Sequence, residues 1–132
     1  MYGEVKENNE LVYASDLVNS YAWDTAIIFI QTYATETDAS SYACENKSTS
    51  FAKTGINTDK YCNIWDMSGN AYEWTTEYST DSRDSLFNPC VIRGGYYDTV
   101  TGPADGYTSY RAYDDTTFSS SDFGLRPLLY VK

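Results

Sequence analysis

An α+β domain with short antiparallel strands is the fold class this sequence predicts, and three features predict it. One segment near the start carries apolar residues at helical spacing. Apolar and aromatic residues in the second half alternate over short runs. Gly, Asn, Asp and Pro punctuate those runs at close intervals. The 132 residues make a single domain over 1–132, long enough to bury a core without staples. At 42% hydrophobic residues, the composition belongs to a folded chain rather than a disordered one.

Residues 1–14 are polar with scattered apolar positions, an opening strand or the tail of a longer protein. Trp23, Ala26, Ile27 and Ile30 then fall at i, i+3, i+4 and i+7, one face of a helix near the N-terminus. Asn19 or Ser20 can cap it, and Asp24 is expected in its first turn, where the dipole favours negative charge. Residues 35–60 are rich in Ser, Thr, Asn, Lys and Asp; they have room for a short second helix over 39–45 and a loop through Gly55. A strand or strand-turn is expected over 61–67, a turn at Ser68, Gly69 and Asn70, and an aromatic-alternating strand over 71–76. An exposed loop follows over 81–85, then a short buried strand over 90–93 ended by Gly94 and Gly95. The run 124–131 completes the sheet, and Pro127 within it implies an edge or a bulge. Trp23, Trp65 and Trp74 are expected in the core.

The net charge of −10 and the pI near 4.2 exclude a nucleic-acid partner, which needs a basic footprint, and an anionic membrane surface. No apolar run approaches the roughly 20 residues of a membrane span, so no direct membrane insertion is expected. Cys44, Cys62 and Cys90 show no CxxC spacing, which argues against a thiolate zinc site. The absence of histidine removes the commonest general base and the commonest transition-metal ligand.

The segment 96–123 differs in chemistry from the rest. It is rich in Tyr, Asp, Ser, Thr and Gly and contains no Lys, Glu, Gln, Met or Trp. Tyr supplies rigid amphipathic contact area, and Ser, Gly and Asp supply adaptable hydrogen bonds, as in a paratope. The candidate contacts are Tyr96, Tyr97, Asp98, Tyr107, Tyr110, Tyr113, Asp114, Asp115, Phe118, Asp122 and Phe123. The plainer alternative is that the tyrosines are half-buried sheet aromatics. Asp98, Asp105, Asp114, Asp115 and Asp122 are read as contact positions in preference to a cation site or a hydrolytic carboxylate pair. Asp66, Asn70 and Glu73 offer oxygens to a calcium ion, but Asn70 and Glu73 are better read as anchoring the turn through backbone hydrogen bonds. No cofactor is therefore expected, with calcium as the alternative. Arg93 and Arg126 are read as scaffold clamps, since a buried arginine needs a partner.

Residues 63–74, NIWDMSGNAYEW, resemble the N-V/I-W/Y-D/E-M-x-G-N-x-x-E-W signature of the formylglycine-generating-enzyme (sulfatase-modifying-factor) branch of the C-type lectin fold. VIRGG at 91–95 is similar to the family's V-x-R-G-G, GLRP at 124–127 to its terminal G-F-R, and LVNSYAWD at 17–24 more loosely to its helix start. The resemblance spans about residues 17–131 and implies a C-type lectin fold. The oxidase branch carries a late cysteine pair, and here no cysteine follows Cys90; the iron-dependent relatives use histidine ligands, which this chain lacks. The resemblance thus implies the scaffold without catalysis.

A second branch of the fold is a closer match: the variable proteins of diversity-generating retroelements, such as those of phage tail fibres. In these the stretch between R-G-G and G-F-R is rewritten by adenine-directed mutagenesis, mostly of AAC codons; Arg111, flanked by Tyr110 and Tyr113, resembles the fixed arginine of that stretch, which implies a structural role. The reachable set NNC has no codon for Lys, Glu, Gln, Met or Trp. Residues 1–95 hold 17 of those five types; at that rate about five would fall in the 28 residues of 96–123, and none does. The resemblance implies a hypervariable binding domain for a protein or glycan on a target cell surface. It would be displayed on a virion tail tip or a bacterial surface, facing outward, as a homo-oligomer or in many copies. The alternatives are an oxidase of the formylglycine-generating type, which needs Cys62 and Cys90 close together, and a static calcium-dependent lectin.

Overall fold

A computed structural model describes residues 3–8, 10–34, 51–55, 60–80, 84–97, 108 and 110–131. The opening stretch forms a hairpin of β1 (Gly3–Glu7) and β2 (Glu10–Leu17), and β9 (Pro127–Val131) pairs with the other side of β2. Both pairings are antiparallel. Pro127 stands opposite Leu17 on an edge strand, where its missing N–H costs no ladder bond.

Helix α1 (Ser20–Tyr33) follows, capped by Asn19, whose side-chain oxygen accepts the Ala22 N–H at 2.8 Å. Trp23 and Ile30 are fully buried, and Ala26 and Ile27 pack beside them, as the spacing required. Val18, Tyr61 and Met67 complete this core cluster. Asp24 lies beyond the first turn instead of in it, because the helix starts at Ser20; its carboxylate pairs with Arg93. The helix expected over 39–45 lies outside the described residues.

The strand-turn at 61–67 is a hairpin of β3 (Lys60–Tyr61) and β4 (Ile64–Trp65), closed by Cys62 and Asn63 at φ of 51° and 63°. Two successive left-handed residues match a two-residue turn to strand twist. Next come β5 (Tyr72–Tyr78), the four-residue helix α2 (Asp84–Phe87), β6 (Cys90–Arg93), β7 (Arg111–Asp114) and β8 (Phe123–Leu125). The loop expected through Ser85 thus gives way to helix at Asp84.

β5 to β8 form a sheet in the order β7-β6-β5-β8, antiparallel except for β5 and β8, which run parallel. The final run does not form one strand. It splits at Arg126, β8 joining this sheet and β9 the other, and the seam is sewn by Val18 N–H to Arg126 C=O (2.9 Å) and Thr76 N–H to Val18 C=O (3.1 Å). Of the three tryptophans expected in the core, only Trp23 is fully buried. Trp65 is half-buried with the Lys60 ammonium 5.1 Å from its ring, and half-buried Trp74 lines a groove.

Candidate ligand-binding groove

Side chains alternate across the four-stranded sheet, and the register sorts them into two faces. Glu73 stands opposite Arg93, and Arg93 opposite Arg111, on the face toward α1. Tyr72 and Trp74 share the other face with Ile92, Ala112 and Phe123.

The inner face is an interlock of the sequence motifs around Trp23. The Arg126 guanidinium grips Glu73 with two bonds of 2.8 Å and donates a third, 3.0 Å, to the Asp66 carbonyl. Such a fork fixes geometry as well as charge. Arg93, 4% exposed, pairs with the partly solvated Asp24. Both guanidinium groups lie 5.8 Å from the Trp23 ring, within cation–π range. Gly94 has φ of +88°, and a Cβ there would meet Trp23 at 3.1 Å and the Met67 carbonyl at 3.3 Å; only glycine fits. Its carbonyl accepts the Gly69 N–H at 2.6 Å, joining the 63–74 and 91–95 blocks.

The turn residues read as possible calcium ligands are engaged elsewhere. Asn70 accepts from Ala52 N–H (2.9 Å) and donates to its carbonyl (3.1 Å), a backbone anchor as expected. Glu73 anchors through Arg126 and not through backbone. Burial pushes the Glu73 carboxyl up to about 7, with the Arg126 charge and hydrogen bonds opposing. Among the described residues no group of three or more His, Cys, Asp or Glu is placed to hold a metal ion.

The outer face carries an open groove of about 350 Å³. Tyr72 is its hub, with ring centroids of Tyr96, Phe123 and Tyr110 at 4.9, 5.4 and 5.7 Å. Phe118 meets Phe123 edge-on at 5.2 Å. Ile92 and Ala112 floor the groove, and Tyr113, Asp114 and Asp122 line it too. The groove thus gathers Tyr96, Tyr110, Tyr113, Asp114, Phe118, Asp122 and Phe123 from the candidate contacts. Tyr97 is not among the lining residues and packs edge-on to Tyr96 at 5.6 Å. Asp115 sits outside in the exposed turn after β7, where the Thr117 N–H and then its hydroxyl hold the carboxyl below its usual range. Asp98 and Tyr107 lie outside the described residues. Sequence reasoning missed Tyr72, whose signal was its alternation with Trp74 in register for one face.

A second, more apolar groove of about 300 Å³ adjoins the first through Phe118 and is lined by Leu17, Trp74, Thr75, Cys90 and Thr116. Burial, then Asp115 and Asp114, push the Cys90 thiol up, which disfavours a thiolate nucleophile. Cys62 instead sits in the β3–β4 turn against the core, and both are free thiols.

The described residues of the segment are tied to the framework through backbone atoms. Tyr97 N–H donates to the Asn70 carbonyl (3.2 Å), the Thr108 carbonyl accepts from the Trp23 indole N–H (2.9 Å), and the Asp122 carbonyl accepts the Tyr72 N–H (2.9 Å). The β7 ladder on β6 is a fourth hold. Arg111, paired with Glu77, is a side-chain anchor within the segment.

The fold has known counterparts. The chain superposes on Treponema denticola variable protein 1 with a TM-score of 0.64 at 17% identity, covering 93% of this chain and 49% of that one. The present chain therefore spans about half the length of that protein. No curated protein sequence matches. The likeness bears out the C-type-lectin-type α+β architecture. Residues 6–129 match the sulfatase-modifying factor enzyme 1-like domain, a stretch that contains the Trp23 interlock and the groove. With that match over nearly its whole length, the chain belongs to the sulfatase-modifying factor enzyme 1-like domain family.

Proposed function

We propose that the outer groove is a ligand-binding surface whose side chains are diversified on a fixed scaffold, in the manner of the variable proteins of diversity-generating retroelements. The observation that carries this reading is how the segment is held. Trp23, Asn70 and Tyr72 engage backbone atoms of Thr108, Tyr97 and Asp122, atoms that survive replacement of the side chains. The side chains of the same segment line the groove and are drawn from the restricted residue set. The role is binding and not catalysis: shape complementarity from Tyr and Phe, with Asp, Ser and Thr tuning polar contacts. The ligand is a protein or a glycan on a target cell surface. Display in many copies on a virion tail or a bacterial surface would supply avidity beyond that of one groove.

Displaying a library with NNC codons at 110, 113, 114, 118 and 122 tests whether the groove is free to vary. Most members are expected to stay folded, read as protease resistance, and a library at Trp23, Glu73 and Arg126 is expected to collapse. Groove members that unfold as often as the framework library would mean that the tyrosines are core aromatics and the reading is wrong.

A further inference from the structure

We infer that this groove takes a cation, the ammonium or guanidinium of a lysine or arginine side chain on a protein partner, and so selects basic protein segments over glycans. The inference rests on the ligand-binding reading above and narrows its ligand class. The floor is aromatic: Tyr96, Tyr110 and Phe123 gather within 5.7 Å of Tyr72, and aromatic faces attract cations. Asp114 and Asp122 line the same groove.

The protein supplies those carboxylates with no cation of its own among the described groove residues, which include neither Lys nor Arg. Arg93, Arg111 and Arg126 are paired with Asp24, Glu77 and Glu73, and Lys60 lies over Trp65. Arg111 is the one basic residue in the whole 96–123 segment, so the sequence too leaves the surface acidic. Beside the groove, burial and then Asp115 and Asp114 push the Cys90 thiol up.

A neutral sugar can donate hydroxyl hydrogen bonds to these carboxylates but brings no positive charge to offset theirs, and an anionic glycan is repelled by a chain of net charge −10. A lysine or arginine neutralises them, and its methylene stem has the adjoining apolar groove beside Phe118 to lie in. An apolar residue next to the basic one fits there as well, against Leu17 and Trp74.

The test is selection of a random dodecapeptide display library on the full chain and, in parallel, on a Tyr96→Ala/Tyr110→Ala variant checked for folding. Peptides lost on the alanine variant are expected to be enriched in Lys and Arg. Their affinity is expected to fall at least tenfold on Asp114→Asn/Asp122→Asn, which keeps the groove's shape, and to weaken with added salt. Groove-dependent peptides without basic enrichment, or indifferent to the Asn pair, would overturn the cation inference and leave the binding surface standing. A neutral glycan captured at the groove on an array would do the same. Peptides that bind the alanine variant equally well would overturn both.

Discussion

Replacing Trp23 with phenylalanine tests whether one framework side chain ties the core to the 96–123 segment. The indole is fully buried and its N–H donates to the Thr108 carbonyl, 85 residues away in sequence, at 2.9 Å. Phenylalanine keeps a ring beneath Arg93 and Arg126 but removes the donor and part of the volume. Orphaning the buried carbonyl costs about 1–3 kcal/mol. The lost volume in a site walled by Val18, Ile30, Tyr61 and Met67 adds about 1–2 kcal/mol. The sum of roughly 3 kcal/mol is a large share of the 5–15 kcal/mol that holds a domain together. Urea unfolding followed by far-UV circular dichroism measures it, with half-buried Trp65→Phe as the control that changes little. Amide exchange around Thr108 is expected to quicken in the same variant. A Trp23→Phe loss below about 1 kcal/mol, or unchanged exchange, would refute the reasoning, since neither the bond nor the packing would then carry weight.

Two further perturbations follow from the interlock. Gly94→Ala is expected to cost about 1–2 kcal/mol for the left-handed backbone and about 1–3 kcal/mol for the clash with Trp23. Gly55→Ala, at φ of +84° with its nearest neighbour 4.0 Å away, should pay only the first part, so thermal melts of the two variants separate strain from crowding. Glu73 makes stability pH-dependent in an unusual direction. Its folded pKa of about 7 exceeds the ordinary 4.5, so the native state holds the proton more tightly. The contribution is full below about pH 4.5 and is lost as pH rises through 7, by at most about 3 kcal/mol. Glu73→Gln does not titrate, so the wild-type advantage over it should shrink from pH 4.5 to 7.5; an advantage that grows with pH would contradict this.

Those parts of the fold governed by local chemistry were legible from the sequence. The Trp23, Ala26, Ile27, Ile30 spacing located α1, Asn19 capped it, and Gly94 marked the end of β6 because no other residue fits. The parallel pairing of β5 with β8 and the split at Arg126 were not legible, because both depend on which distant edge a strand meets. The partners of the arginines are illegible for the same reason: local sequence offers Asp24 to the helix dipole, whereas its partner Arg93 lies 69 residues away. At the site, composition singled out a segment but not its geometry. Thr108 is buried structure within it and Asp115 lies outside the groove, whereas Tyr72, a framework residue, is the hub around which the contacts gather. Alternation placed Tyr72 with Trp74 on one face, yet period 2 cannot say which face is open.

The most direct measurement of the central claim is deep sequencing of the 3′ end of this gene across a natural population of its source. Diversification predicts substitutions confined to codons 96–123, falling at adenines of a template copy and concentrated at groove positions such as 96, 110, 113, 114, 118 and 122. Codons for Trp23, Asn70, Tyr72, Glu73, Arg93 and Arg126 should remain constant, because they hold the segment in place. A uniform segment, or variation spread evenly along the gene, would contradict the account.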